Sequence, residues 1–501
     1  MSTRQLVNSS TSSTMTTDRL KEIILTYFQH EPTTEQNGAI DTFCQFMTTR
    51  VAMLAMVMRG SAGTGKTTLA GAIVRTLSHL RLKTVLLAPT GRAAKVFALN
   101  SGHQALTIHR KIYRQKAFGM DTGFSLGENL HQDTLFIIDE ASMIANGGSQ
   151  TVFGEGMLLD DLVSYVYSGR NCRMMLIGDR AQLPPVGELS SPALDASFLA
   201  GYGLEVMECD LNEVLRQSQD SGILYNATVI RQMMERGKTQ MPTIRLKGFA
   251  DICVVRGDEL IDAMSTSYRD AGIEETIVVT RSNKRANIYN QGIRNTILDR
   301  EELLTRGDML MIVKNNYYWA NPPGRQNANT KTASNTGKEE AKDGLSFLAN
   351  GDRAIVERVR NERDLYGFHF ADVRLRMPDY DNTELTVTIV TDSLLTDAPA
   401  LTQDQNHQLY EQVMEDYIDI PLKSERLKKV KEDIYFNALQ VKFSYAVTCH
   451  KAQGGQWAHV YLDQGYVTDD MIDDDYYHWL YTAFTRATEK LFLVNWKIDN
   501  F

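Results

Sequence analysis

Residues 51–67 read VAMLAMVMRGSAGTGKT, and this stretch decides the fold. Its apolar run at 51–58 leads into GSAGTGKT at 60–67, which matches the pattern G-x-x-x-x-G-K-[ST]. The glycines let the backbone wrap closely, so that amide N–H groups point at phosphate oxygens. We expect Lys66 to reach the β- and γ-phosphates of a nucleotide and Thr67 to coordinate Mg²⁺. The stretch therefore predicts a strand, a phosphate-binding loop and a helix, in that order.

Further apolar runs indicate parallel sheets. Continuous runs, unlike alternating ones, are typical of parallel strands that helices cover on both faces. Helical stretches between the runs complete a series of βαβ units. The first series continues at 84–88, 134–138 and 173–177, and a second series lies at 275–280, 441–448, 458–462 and 490–494. The predicted fold class is therefore α/β, with two parallel-sheet domains.

Residues 301–437, which lie within the second series, have a different sequence pattern. Segments 308–313, 352–359 and 384–391 alternate between apolar and polar residues, as antiparallel strands do. The stretch 321–344 is rich in Gly, Asn and Lys, which predicts a long flexible loop. We therefore expect a small β-barrel inserted into the second α/β domain.

The predicted organisation has four parts. The first 17 residues contain ten Ser or Thr and little that could be buried, which favours a disordered tail. The expected bounds are 1–17 for the tail, 18–215 for the first domain, 216–300 with 438–501 for the second, and 301–437 for the inserted barrel.

Acidic and amide side chains follow two of the strands in the first series. IIDEAS at 137–142 places Asp139 where it could hold Mg²⁺, with Glu140 beside it to orient or deprotonate an attacking water. GDRAQLPPVG at 178–187 places Gln182 where it could sense a γ-phosphate, although the segment taken alone favours a turn stiffened by Pro184 and Pro185. Together with Lys66, these residues predict hydrolysis without a covalent intermediate.

Composition narrows the class of protein. Of 501 residues, 43% are hydrophobic and 23% are charged, as in soluble globular proteins. The formal net charge of −9 argues against a histone-like protein that holds nucleic acid by bulk charge, but it allows a locally basic channel. The five cysteines show no zinc spacing and fit a reducing compartment. We expect a cytoplasmic location in a bacterial or phage-like context, or an organelle or the nucleus if the chain is eukaryotic.

These segments resemble the helicase motifs of superfamily one, in the 5′→3′ branch that holds RecD-like, Dda-like and Pif-type helicases. The resemblance extends over most of 33–501, and GDRAQLPPVG is particularly typical of the RecD-like and Dda-like group. The other motifs that carry it are APTGRAAK at 88–95, TIH at 107–109, LNEVLRQ at 211–217, TCHKAQGGQW at 448–457 and YTAFTRATEK at 481–490. It implies two RecA-like domains and an inserted barrel of the SH3-like type.

The resemblance also implies roles around a nucleotide. Gln36 would read the adenine, Arg216 would approach the γ-phosphate, and Arg486 would act as an arginine finger. Gly455 and Gln456 stand where the family often has a small residue and an acid that meets the ribose, so strict ribose recognition is not implied. The complete expected nucleotide set is Gln36, Gly60, Ser61, Ala62, Gly63, Thr64, Gly65, Lys66, Thr67, Thr68, Arg216, Gln456 and Arg486.

Contacts to a DNA strand are implied in the same way. The expected residues are Pro89, Thr90, Arg92, Lys95, Thr107, His109, Arg110, Thr448, His450 and Lys451. Residues 107–118 also interleave basic and aromatic side chains, which favours contact with a phosphate backbone and stacked bases, with a solvated helix face as the alternative. By resemblance, about 110–133 would hold a wedge that splits the duplex.

We therefore predict an ATP-dependent helicase that moves 5′→3′ on single-stranded DNA and acts on forks or tailed duplexes. ATP and Mg²⁺ are the expected cofactors, replication or repair proteins the expected partners, and a monomer without membrane association the expected state. The alternatives are an RNA or RNA–DNA helicase and a DNA-stimulated ATPase that serves as a switch subunit. A phosphotransferase is disfavoured, because it has no use for the motifs of the second domain.

Overall fold

The computed structural model describes residues 16–115, 124–147, 157–214, 220–237, 240–316, 318–319 and 348–496. The predicted loop at 321–344, Arg216 and nearly all of the predicted tail lie outside these ranges. Within the tail, only Thr16 and Thr17 are described: Thr16 caps the first helix, which begins at Thr17.

The first sheet has six strands in the order β3-β2-β6-β7-β1-β8, and every neighbouring pair is parallel. An antiparallel hairpin, β4–β5, stands apart from this sheet. The strands are β1 (Leu54–Gly60), β2 (Lys83–Ala88), β3 (Ala105–Thr107), β4 (Tyr113–Gln115), β5 (Phe124–Leu126), β6 (Thr134–Ile138), β7 (Arg173–Gly178) and β8 (Glu205–Leu211).

Helices cover both faces of this sheet. The strands β1 and β6 are buried along their whole length, because separate apolar clusters pack on the two faces. The second helix begins with a capping box between Thr33 and Gln36. The helices are α1 (Thr17–Phe28), α2 (Thr34–Thr48), α3 (Lys66–His79), α4 (Gly91–Ser101), α5 (Ile108–Ile112), α6 (Leu158–Ser168) and α7 (Ala196–Ala200).

A second parallel sheet has the order β16-β10-β17-β18-β9. Its strands are β9 (Ile252–Val255), β10 (Thr276–Thr280), β16 (Ala446–Thr448), β17 (Trp457–Asp463) and β18 (Ala487–Val494). Its helices are α8 (Gly222–Glu235), α9 (Leu260–Asp270), α10 (Asn283–Gly292), α14 (Cys449–Ala452) and α15 (Asp474–Phe484). The α/β class with two parallel sheets is confirmed.

The inserted unit is a closed five-stranded barrel. Its neighbouring strands are antiparallel except for the last pair, which is parallel. The strands are β11 (Met309–Ile312), β12 (Arg353–Leu365), β13 (Phe368–Met377), β14 (Thr383–Val390) and β15 (Leu439–Phe443), with helices α11 (Asp392–Leu395), α12 (Gln403–Glu415) and α13 (Lys423–Glu432) between the last two strands. The predicted barrel is confirmed.

The apolar run 441–448 differs from the single strand expected of it. Leu439–Phe443 closes the barrel, and the chain then crosses to the second sheet as Ala446–Thr448. The side chain of Asn290 holds this crossover, since its Nδ2 donates to the carbonyls of Phe443 and Ala446 at 3.2 and 2.9 Å. The barrel therefore extends past the expected boundary at residue 437.

None of the helices in the described ranges has the length and apolar character that crossing a membrane requires.

Candidate nucleotide and DNA sites

The loop between β1 and α3 has the shape of a phosphate cradle. Gly65 adopts φ +81° directly before the first helical residue, Lys66, a conformation that favours glycine. A Cβ on Gly60 would lie 2.7 Å from Lys66 Cγ, so only glycine fits there. The loop delivers the N-terminus of α3, followed by Thr67 and Thr68 in its first turn, to one edge of the sheet. Backbone amides at such a helix start bind anions.

The ammonium of Lys66 lies within this loop. It donates to the carbonyls of Gly60 and Ser61, at 3.0 Å for Ser61. It also lies 3.9 Å from Oδ2 of Asp179, the first residue after β7. Because β7 is the neighbour of β1, the segment after β7 meets the loop at the same edge of the sheet. Lys66 is therefore held by neutral carbonyls and one carboxylate, and phosphate oxygens are a stronger partner for its charge.

The predicted acid pair lies at the carboxyl end of β6. The N–H of Glu140 donates to Oδ1 of Asp139 at 2.9 Å, and Glu140 itself adopts φ +52°. Burial, followed by the neighbouring Glu140, raises the pKa of the Asp139 carboxyl, and Lys66 opposes this shift. A divalent cation beside Asp139 would stabilise its charged form. The residues therefore fit Mg²⁺ held by Asp139 and Thr67.

Gln182 is buried in the segment that follows β7. Its backbone N–H donates to the carbonyl of Asp179 at 3.3 Å, which fixes a tight turn. Its Oε1 has no hydrogen-bond partner within the described part of the chain. A buried acceptor of this kind is costly to leave unpaired. The predicted γ-phosphate sensor therefore has a free acceptor, which suits an attacking water.

Gln36 is placed against the phosphate loop, with both ends of its carboxamide occupied. Its Oε1 accepts from the N–H of Thr33 at 3.0 Å, and its Nε2 donates to the carbonyl of Thr64 at 2.9 Å. The side chain thus fastens α2 to the loop. One N–H and one oxygen lone pair of the carboxamide are left for reading an adenine, as expected by resemblance.

Glu35 is a residue that the sequence analysis missed. Its Oε2 accepts from the backbone N–H groups of Asn212 and Glu213, at 2.5 and 2.6 Å. These residues open the motif that carries Arg216. The acid beside Gln36 therefore fixes the start of that segment, and no motif spacing pointed to it.

Each guanidinium nitrogen of Arg486 donates a hydrogen bond within the second domain. Its Nε donates to the carbonyl of Thr482, and its two terminal nitrogens donate to the carbonyl of Gly455 and to Oγ1 of Thr485, all at 3.0–3.1 Å. It is 2% exposed. The described contacts therefore place it beside Gly455 and do not bring it to the phosphate loop.

Three of the predicted DNA contacts are threonines that end a strand or lie within two residues of its end. Thr90 follows β2 and Thr107 ends β3, and their hydroxyls accept from Ala93 N at 3.2 Å and Arg110 N at 3.3 Å. Thr448 ends β16 in the second sheet and precedes α14. Each threonine therefore marks a helix start at a sheet edge, where backbone amides favour phosphate groups.

The two predicted cations of α4 are held by other parts of the chain. Arg92 donates to the carbonyl of Gln456 and lies 3.8 Å from Glu275. Lys95 donates to the carbonyl of Pro378 at 2.8 Å and lies 3.8 Å from Asp379 in the barrel. Burial lowers the pKa of Arg92 to about 10. Both side chains therefore serve as contacts between the first domain and the rest of the chain.

A pocket forms where the two sheets and the barrel meet. Thr90 and Arg92 line it from the first domain, and His450 and Lys451 from the second. The barrel adds Asn350 and Arg353, which the sequence analysis did not single out. Of the predicted DNA contacts, these four thus share one pocket.

Lys442 is a further cation near this pocket. It lies close enough to Lys451 to affect its titration, and burial lowers the pKa of each lysine to about 8. The Lys442 ammonium donates to the carbonyl of Thr396, and that of Lys451 to Oδ1 of Asn350. A lysine inside the apolar run 441–448 was the sequence signal that could have identified it.

The phosphate loop, the acid pair and the sheet order define a P-loop ATPase. Residues 33–241 match the family described as an AAA domain, and residues 443–494 match the UvrD-like helicase C-terminal domain. The chain therefore combines an AAA domain with a UvrD-like helicase C-terminal domain, and it is an ATP-hydrolysing DNA helicase.

Individual relatives are distant. An uncharacterized protein, R530, of Acanthamoeba polyphaga mimivirus is 22% identical over 86% of this chain and 93% of its own length. The ATP-dependent RecD2 DNA helicase of Deinococcus radiodurans is 33% identical over 26% of this chain and 16% of its own length. The ATP-dependent DNA helicase dda of Enterobacteria phage T4 is 26% identical over 51% of this chain and 56% of its own length.

Proposed function

We propose that this chain moves 5′→3′ along single-stranded DNA and unwinds duplex by coupling ATP hydrolysis to closure of its two α/β domains. The observation that carries the proposal is the junction pocket, to which Thr90 and Arg92 contribute from one domain and His450 and Lys451 from the other. A strand seated there is held by both domains, so a change in the gap between them moves one grip relative to the other. The direction is supported by the resemblance of the motifs to the 5′→3′ branch.

The chain's own residues supply most of the hydrolytic step. Lys66 exchanges its carbonyl partners for the β- and γ-phosphates, and Glu140 takes the proton of a water that Gln182 orients. Mg²⁺ held by Thr67 and Asp139 would neutralise charge that develops on the phosphate oxygens. A finger role for Arg486 requires its guanidinium to leave the carbonyl of Gly455, and a finger of this kind is worth about 10³–10⁵ in rate.

Unwinding of tailed duplexes tests the proposal. The substrates are one duplex with a 5′ single-stranded tail, the same duplex with a 3′ tail, and a blunt duplex, each with and without ATP. We expect ATP-dependent strand separation from the 5′ tail alone, and none with the Lys66→Ala variant. Opening from the 3′ tail would overturn the direction. DNA-stimulated hydrolysis without separation would instead identify a switch subunit.

A further inference from the structure

One face of helix α15 contacts the segment that follows β7 in the first domain. The contacts come from His478, Tyr481 and Thr482, which share a helix face because they are three and four residues apart. The Nδ1 of His478 lies 3.0 Å from the carbonyls of Ala181 and Gln182. The Thr482 hydroxyl accepts from the N–H of Leu183 at 2.7 Å. A helix of the second domain thus lies directly on the predicted phosphate-sensing segment.

Tyr481 extends this contact to the phosphate loop. Its hydroxyl donates to Oδ2 of Asp179 at 2.7 Å and accepts from the N–H of Ala62 at 2.8 Å. Burial, followed by the Asp179 carboxylate, raises the pKa of the Tyr481 hydroxyl well above its usual value, so that it keeps the proton it donates. A single hydroxyl therefore joins the loop, the segment after β7 and the second domain.

Nucleotide phosphate would affect both hydrogen-bond partners of the Tyr481 hydroxyl, the Ala62 amide and the Asp179 carboxylate. Backbone amides of a phosphate loop are donors to phosphate oxygens, and the Ala62 amide is occupied by Tyr481 instead. Asp179 lies 3.9 Å from the Lys66 ammonium, whose charge is drawn to phosphate. A bound phosphate group would therefore take the Ala62 amide away from the Tyr481 hydroxyl. It would also draw the Lys66 ammonium away from Asp179, the carboxylate to which that hydroxyl donates.

We propose that Tyr481 is a positioning residue whose hydroxyl competes with nucleotide phosphate for the Ala62 amide, so that nucleotide binding weakens this contact between the domains. The inference rests on the proposed function, because it concerns the same ATP site. Linkage requires the effect to be reciprocal: if phosphate loosens the contact, then losing the contact tightens phosphate binding by the same factor.

The test is nucleotide affinity in the absence of DNA. Tyr481→Phe keeps the ring and removes both hydrogen bonds, and we expect it to bind ADP and a non-hydrolysable ATP analogue several-fold more tightly than the unaltered chain. The matched control is Tyr477→Phe on the same helix. Its buried hydroxyl donates to the carbonyl of Gln240 at 2.5 Å and contacts no residue of the first domain among its described hydrogen bonds.

The outcomes separate cleanly. Tighter binding in Tyr481→Phe and unchanged binding in Tyr477→Phe support the competition. Unchanged or weaker binding in Tyr481→Phe, in a variant whose thermal unfolding matches that of Tyr477→Phe, would overturn it. Should both variants unfold early, the same affinities are measured at a temperature below both unfolding transitions, where tighter binding in Tyr481→Phe alone supports the competition and equal affinities overturn it. Because no DNA is present, failure of this inference is distinguishable from failure of the unwinding assay.

Discussion

The guanidinium of Arg92 lies 4.3 Å above the ring of Trp457, so a side chain expected to hold DNA also joins the two domains. Arg92 belongs to α4 in the first domain, and Trp457 opens β17 in the second. Arginine is suited to this role, because its planar group stacks on aromatic faces and keeps donors free at its edge. A DNA phosphate that recruits Arg92 must therefore compete with a contact between the domains.

Arg92→Ala is expected to weaken single-stranded DNA binding in a salt-dependent way. Each neutralised phosphate contributes about 0.7 to the slope of log affinity against log salt for a single strand. We expect the slope to become shallower by about that amount, measured by fluorescence anisotropy over a salt series. Arg256→Ala is the matched control, since Arg256 is 74% exposed and pairs with Asp258. Equal slopes in the two variants would remove Arg92 from the DNA contacts.

Lys66→Ala is expected to abolish ATP hydrolysis. In the described structure, Lys66 is the cation that contacts the phosphate loop, through the carbonyls of Gly60 and Ser61. Losing a preorganised charge at such a site costs about 10²–10³ in rate. Phosphate release in the presence of single-stranded DNA is the measurement, and near-normal turnover would show that this loop is not the active site.

Glu140→Gln should separate nucleotide binding from hydrolysis. The amide keeps the size of the side chain but loses its basicity, and general-base catalysis is worth about 10²–10⁴ in rate. The variant should bind nucleotide, hold single strands and turn over slowly. Equilibrium binding of ATP and single-turnover hydrolysis measure the two properties. Loss of binding in a folded variant would make Glu140 a binding residue instead of a base.

Much of the fold could be predicted from local pattern. The runs at 84–88 and 134–138 became β2 and β6 nearly without change, because the buried positions of each strand are consecutive, as expected where helices cover both faces of a sheet. The strand β8 was missed, since it lies at the edge of its sheet and its exposed positions break the run. The run 441–448 was read as one strand, because apolarity alone does not show that the chain changes sheets after Phe443.

A site could be predicted where all of its residues lie close together in the sequence. The phosphate loop needed only local residues, since its glycines and Lys66 are adjacent in sequence. The Tyr481 contact with Ala62 spans 419 residues, and no local pattern encodes such a pairing. The same holds for Asn350 and Arg353, whose place in the junction pocket depends on how the barrel packs.

Asp308 provides a test of stability at the base of the barrel. It is buried and pairs with Arg294 at 3.0 Å and Arg300 at 2.8 Å. Burial would raise the pKa of this carboxyl, but hydrogen bonds from Arg294, the Thr305 N–H and Arg300 outweigh it, so that the pKa is lowered. Asp308→Asn leaves two arginines without their shared partner and should cost about 3–5 kcal/mol in the free energy of unfolding.

The pH dependence of that cost follows from the lowered pKa. Because the folded chain holds Asp308 charged more strongly than the unfolded chain does, its contribution is complete above the unfolded pKa, about 3.9, and is lost as the pH falls through the folded value. Urea unfolding of both chains should therefore show their largest difference near pH 7 and a smaller one in acid. Asp258→Asn, in an exposed pair, should change stability by less than about 1 kcal/mol.

The hairpin β4–β5 lies within the predicted wedge at about 110–133, of which residues 116–123 lie outside the described ranges. It leaves the first domain between α5 and β6, and the Tyr113 hydroxyl fastens its base by donating to Oδ2 of Asp161 in α6 at 2.6 Å. A projection fastened at its base can push against a duplex without taking part in ATP hydrolysis.

Replacing residues 116–123 with Asn-Gly tests this role, because it joins the last paired residues, Gln115 and Phe124, by a two-residue turn that suits an antiparallel hairpin. The base and its Tyr113 anchor are left in place. We expect DNA-stimulated ATP hydrolysis to persist and strand separation from a 5′-tailed duplex to fall, measured on the same preparation. The reason is that movement along a strand needs only the contacts that the two α/β domains make with it. Separation of the two DNA strands also needs an obstacle at the fork. Equal loss of both activities would point to a general defect in gripping DNA, and both activities unchanged would show that the hairpin is not the wedge.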